Sequence, residues 1–196
     1  TAATGGFAGA GIAAAMRFGV ARGVFSNEAG LGSAPIAHAA ARTTSPVRQG
    51  IIAGLSPFID TIVVCTMTAL VIIMTGAWTS GETSSALTAM AFNKGLPGPG
   101  DFVVGFGLIF FAFSTILAWS YYGQVSVEYI FGLKAVTPFR YAYVILVFIG
   151  AVINLDIVWT FSDVMNGLMI VPNLIALLVL SPIIFRITKE YFVQNR

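Results

Sequence analysis

Charge is scarce in this sequence. Only 9% of its 196 residues are Asp, Glu, Lys or Arg, against roughly a quarter in an ordinary soluble domain. A water-soluble protein of this size needs more charge than that to cover its surface, which excludes most soluble enzymes, nucleic-acid binders and disordered segments. Cysteine occurs once, at Cys65 inside an apolar run, so neither a disulfide framework nor a cysteine-rich zinc site is available. Histidine also occurs once, at His38, which excludes multi-histidine metal sites and leaves little room for imidazole acid/base chemistry. The formal net charge of +2 is too small to attract nucleic acid, and none is expected as a partner. A basic stretch ahead of a short apolar core, the mark of a cleavable signal peptide, is missing. We therefore read the sequence as a piece of a longer polytopic protein.

What is present is apolar. Hydrophobic residues make up 57% of the chain and the mean hydropathy is +0.89. The expectation is an all-α membrane protein, because a bilayer core takes about 20 helical residues per span. Long apolar stretches place spans at about 47–77, 101–131, 137–154 and 157–186. Residues 5–41 are different. Their ends are small and apolar, but the middle carries Arg17, Arg22, Asn27 and Glu28 among glycines 11, 19, 23, 30 and 32. A regular lipid-facing helix does not hold that content; a broken one does, if the break faces protein or water. We expect the interruption between Met16 and Gly23. Between 79 and 100 the amphipathic spacing predicts a short helix at about 83–93, lying over the outer mouth.

Basic residues orient the spans. Arg42, Arg48, Lys134, Arg140, Arg186, Lys189 and Arg196 fall on one side if five spans alternate, and Lys94 alone falls on the other. The positive-inside rule then puts the C-terminus of a multi-pass cell-membrane protein in the cytoplasm.

Several polar residues in the spans are candidates for chemistry. Asp60 sits near mid-depth and needs a cation, with Arg17 and Arg22 as the nearest in sequence. A structural ion pair and coordination of a coupling ion compete for it. Asp163 lies two turns into the last span, either as an outer gate paired with a basic or polar residue or as an interfacial carboxylate reaching water. Ser114 and Thr115 are adjacent hydroxyls in an apolar helix, with Trp119 one turn on. They either bond their own backbone or offer hard oxygens to a sodium ion. Pro172 should kink the last span. His38 reads as a capping or interfacial residue.

The run GVARGVFSNEAGLGSAPIAHAAA at 19–41 resembles the signature of the sodium:alanine symporters, the alanine or glycine:cation symporter family. PVRQGIIAGLSPFIDTIVVCTMTALVI and FSTILAWSYYG are similar to later blocks of that family. The resemblance implies a leucine-transporter-type fold, in which two inverted five-helix repeats enclose a substrate at mid-membrane. This chain would be the second repeat, opening on a broken helix, and the missing N-terminal repeat would be its partner. Carried over, an unwound stretch around Met16, Phe18 and Gly19 would line the amino-acid site, completed by Thr115 and Trp119. Ser114 and Thr115 would face sodium, which acts as the coupling ion with no other cofactor. The 79–100 loop would be the lid. Arg17, Arg22, Asp60 and Asp163 stand as gating or ion-pair residues.

Sodium-coupled symport of alanine or glycine by alternating access is the leading expectation. A channel or passive pore also needs a polar break, but it should carry rings of like residues. An intramembrane enzyme needs a nucleophile and base, and neither GxSxG nor HExxH occurs.

Overall fold

The computed structural model describes residues 2–28 and 30–194. Among them there are helices and connecting turns and no strand. The chain divides into two compact units, one of Thr1–Thr61 with Ile153–Arg196 and one of Ile62–Val152.

The first unit begins with α1, Ala2–Asn27, a helix of 26 residues. It runs unbroken through Met16, Phe18, Gly19 and Gly23, where the interruption was expected. The physical reason is that in an apolar surrounding every amide and carbonyl needs an internal partner, so glycines alone do not unwind a helix there. The break comes later. Glu28 has φ 53°, Gly30 φ 84° and Gly32 φ 83°, all left-handed. That region ends α-helices and suits glycine. A short α2 follows at Ala34–Ala39, with proline in its first turn. The α3 helix, Pro46–Pro57, starts where the Ser45 hydroxyl accepts a bond from the Arg48 amide at 3.3 Å. Proline in the first turn loses nothing there, since its missing amide would have no helical partner.

At Pro57 a missing amide does matter, and the next eight residues, Phe58–Cys65, form a π-helix. Beyond it lies α4, Thr66–Met74. The last helix, α8 at Leu155–Gln194, is 40 residues long and carries Pro172 and Pro182 within it. Pro182 cannot donate to the Leu178 carbonyl, and the Ser181 hydroxyl takes that acceptor at 2.9 Å. Such hydroxyl rescue is how proline survives inside apolar helices.

In the second unit, α4 ends at left-handed Gly76, and α5 follows at Ser84–Gly95. This is the segment where a loop helix was expected at 83–93. It packs on α4 and on α6, Pro99–Phe131. A Cβ at Gly100 would collide with the Phe92 carbonyl, so only glycine lets the two helices approach this closely. The buried apolar residues of this unit, Ala77, Ala91, Val104 and Val136, are mostly small. α6 also packs on α7, Val136–Val152.

Among the described residues, four helices are long and apolar enough to cross a membrane: Pro46–Met74, Pro99–Phe131, Leu133–Val152 and Leu155–Gln194. Five spans were expected. The difference is α1, which is long enough at ~1.5 Å per residue but is rich in alanine and glycine and carries two arginines. The spanning helices keep their apolar side chains exposed; Phe110, Phe148 and Leu178 are each more than two-thirds accessible. Bare apolar faces of that extent belong against lipid or other helices rather than water.

Candidate functional site

Polar side chains of the first unit converge where α1 ends. The Arg22 guanidinium donates to both carboxylate oxygens of Asp163, at 3.0 and 3.3 Å. This two-pronged arrangement matches the planar fork of arginine to a carboxylate. The same guanidinium lies over the Trp159 ring, 3.9 Å from its centroid. Phe25 meets Trp159 edge to face at 5.6 Å. Spacing explains the cluster: Trp159 and Asp163 are four apart on α8 and so share a face, as Arg22, Phe25 and Ser26 do on α1.

One turn on, α1 meets the π-helix. Ser26 donates to the Asp60 carboxylate at 2.5 Å, and the Asn27 amide donates to the Thr61 hydroxyl at 3.1 Å. Asp60 therefore takes a hydroxyl partner in this structure, rather than Arg17 or Arg22, which were weighed as its ion-pair partners beside a coupling ion. Arg22 is engaged by Asp163, and no carboxylate pairs with Arg17 among the described residues. A π-segment widens the helix and swings side chains out of α register, and such segments are frequent at functional sites.

The break itself is the best-packed place in this unit. Leu31 and Ser33 are each 2% exposed. The Ser33 hydroxyl donates to the Glu28 carboxylate at 2.7 Å, closing the turn that Glu28 opens with its positive φ. Asn173 of α8 donates to the Gly30 carbonyl at 3.0 Å. A Cβ on Gly32 would stand 3.0 Å from the Asn173 oxygen, so the residue must be small as well as left-handed. Asn173 follows Pro172, whose ring leaves the local backbone short of one donor.

In the second unit, Ser114, Thr115 and Trp119 lie on α6. The Ser114 hydroxyl donates to the Phe111 carbonyl of its own helix at 3.1 Å. The Thr115 hydroxyl makes no hydrogen bond among the described residues. Trp119 is half-buried and meets Tyr122 edge to face at 5.8 Å. Tyr143 of α7 donates to the Ile116 carbonyl at 2.9 Å, fixing α7 beside this stretch. Met16 and Phe18 are exposed on α1 in the other unit, 66% and 59% accessible.

Residues 1–196 match the sodium:alanine symporter family. The chain belongs to the sodium:alanine symporter family. An uncharacterized transporter of Haemophilus influenzae is 51% identical over 193 residues, 97% of this chain and 42% of the relative. The sodium/alanine symporter AgcS of Methanococcus maripaludis is 48% identical over 187 residues, 93% of this chain and 41% of the relative. The probable sodium/glutamine symporter GlnT of Bacillus subtilis is 35% identical over 191 residues, 96% and 40%. The chain thus spans about two-fifths of the length of these symporter-family relatives. No solved structure matches it. The family is one of transporters, so the chain is not an enzyme.

Sequence reasoning singled out Arg22, Asp60 and Asp163 but missed Trp159 and the hydroxyl of Ser26. The signal for Trp159 was its place one turn before Asp163 on an apolar helix. Ser26 sits directly before Asn27 and Glu28, in the stretch that carries the family resemblance.

Proposed function

We propose that this chain is the second five-helix repeat of a leucine-transporter-type symporter, which carries alanine or glycine into the cell with sodium by alternating access. The observation that carries this reading is the family match over the whole of residues 1–196. Alanine is favoured over glutamine because the alanine symporter relative is 48% identical and the glutamine one 35%. In this reading the family resemblance assigns Met16, Phe18, Gly19, Thr115 and Trp119 to substrate binding. Ser114 and Thr115 offer oxygens to sodium. The ion pair of Arg22 with Asp163 ties α1 to α8 in one state and parts in another, which is how a gate works. The N-terminal repeat of the same protein supplies the rest of both sites, α5 serves as lid, and the C-terminus lies in the cytoplasm.

The pore alternative needs no coupling between ion and solute. Uptake of labelled alanine by the complete protein in proteoliposomes separates the two. Uptake should require sodium and fall to background when choline replaces it. Equal uptake in choline contradicts the proposal. Competition by excess glycine or glutamine then ranks the substrates.

A further inference from the structure

The segment joining α2 to α3 carries charges that the transport reading does not use. Arg42, Arg48, Thr43, Thr44 and Gln49 line an open groove of about 620 Å³. Among the described residues the ion pair is that of Arg22 with Asp163, so neither of these guanidiniums has a carboxylate partner. Thr43 serves the local turn, accepting from the Ser45 amide at 3.3 Å. The Gln49 side-chain nitrogen is held 2.8 Å from the His38 Nδ1, which fixes the wall between α2 and α3.

A second groove, of about 580 Å³, shares Thr43, Thr44 and Gln49 with the first. Its remaining walls include Ala34, Pro35, Ala39, Gly50 and Ala53. A cationic, hydrogen-bonding recess therefore runs directly into an apolar one. Both stand at the start of the apolar helix Pro46–Met74, the level at which a span leaves the headgroup region and enters the acyl chains. Arginine presents a fork of donors matched to phosphate, and small residues beside it leave a channel for a hydrocarbon chain.

We propose that these contiguous grooves bind one anionic glycerophospholipid. The phosphate sits between Arg42 and Arg48, and the first methylenes of an acyl chain pass over Gly50 and Ala53. A free phosphate would use the first recess alone, whereas a lipid uses both. The site is separate from the transport reading and rests only on α3 lying in a bilayer.

The test uses the complete transporter in neutral detergent, with binding read by native mass spectrometry. It is titrated in parallel with phosphatidylglycerol, phosphatidylcholine and inorganic phosphate. Phosphatidylglycerol should be retained at least tenfold more tightly than phosphatidylcholine, a comparison that needs no variant. Arg42→Gln with Arg48→Gln should weaken phosphatidylglycerol at least tenfold, since each arginine near an anionic surface is worth about a fivefold gain. The paired Arg→Lys variant should restore most of that loss. Gly50→Leu, whose Cβ meets nothing within 4 Å, should weaken the lipid by filling the apolar groove. Equal retention of the two lipids, or an undiminished affinity in the Gln variants, overturns the proposal. Displacement of phosphatidylglycerol by millimolar inorganic phosphate identifies a soluble-anion site and overturns it too. Sodium-dependent alanine uptake, measured alongside, reports on the transport reading independently.

Discussion

The ion pair of Arg22 with Asp163 is open to a double-mutant cycle with Arg22→Gln and Asp163→Asn. Two unit charges about 4 Å apart attract by about 1 kcal/mol in water and about 4 kcal/mol at an effective dielectric of 20. The side chains are 36% and 46% exposed, so the lower part of that range applies, and exposed pairs typically measure about 0.2–1 kcal/mol. Contacts to both oxygens, at 3.0 and 3.3 Å, raise it. The Trp159 ring, 3.9 Å from the guanidinium, contributes about 0.5–1 kcal/mol at exposed sites, but that contact is kept in Asp163→Asn and lost whenever Arg22 is replaced, so it drops out of the coupling. We expect a coupling energy of about 1–2 kcal/mol, a factor of roughly 5–30. The assay is the apparent alanine affinity and maximal rate of the complete transporter in proteoliposomes, with thermal stability in detergent alongside. Each single variant should be impaired, and the double variant should be no worse than the poorer single. If the two losses add to within about 0.5 kcal/mol, the residues act independently and the pair is not a gate.

Three further outcomes follow from the same geometry. Asp60→Asn keeps a partner for the Ser26 hydroxyl and should cost less than about 1 kcal/mol of stability; a selective tenfold loss of sodium affinity with normal folding would instead make Asp60 an ion ligand. Gly32→Ala forces a Cβ against Asn173 at left-handed φ and should destabilise by about 1–3 kcal/mol, seen as a lower melting temperature, with Gly50→Ala as the neutral control. Thr115→Val keeps shape but removes the hydroxyl, and should lower apparent sodium or substrate affinity at least tenfold, while Trp119→Phe mainly relaxes selectivity toward bulkier amino acids. Unchanged sodium and alanine dependence in Thr115→Val would remove Thr115 from the site.

The helical spans were readable because long apolar runs have one solution in a bilayer. The position of the break in the first segment was not, and the reason is instructive. Arg17 and Arg22 drew the expected interruption toward themselves, yet α1 runs unbroken through both. Arg22 meets its charge with Asp163, 141 residues away, and no local pattern connects them. The actual break was written in NEAGLG, where Gly30 and Gly32 supply the left-handed turns. For Asp60 an arginine partner and a coupling ion were both weighed, whereas in this structure a hydroxyl of α1 reaches it. The π-helix after Pro57 had only the proline to signal it. Asp60 and Thr61 lie in that π-helix and meet Ser26 and Asn27 of α1.

The central claim is that sodium and a small neutral amino acid move as one. The direct measurement is reciprocal flux in proteoliposomes of the complete protein, with the membrane potential clamped. An inward sodium gradient should concentrate labelled alanine above its external level, and an inward alanine gradient should drive radioactive sodium uptake in fixed ratio. Alanine that only equilibrates, with sodium flux unaffected by it, would contradict the account.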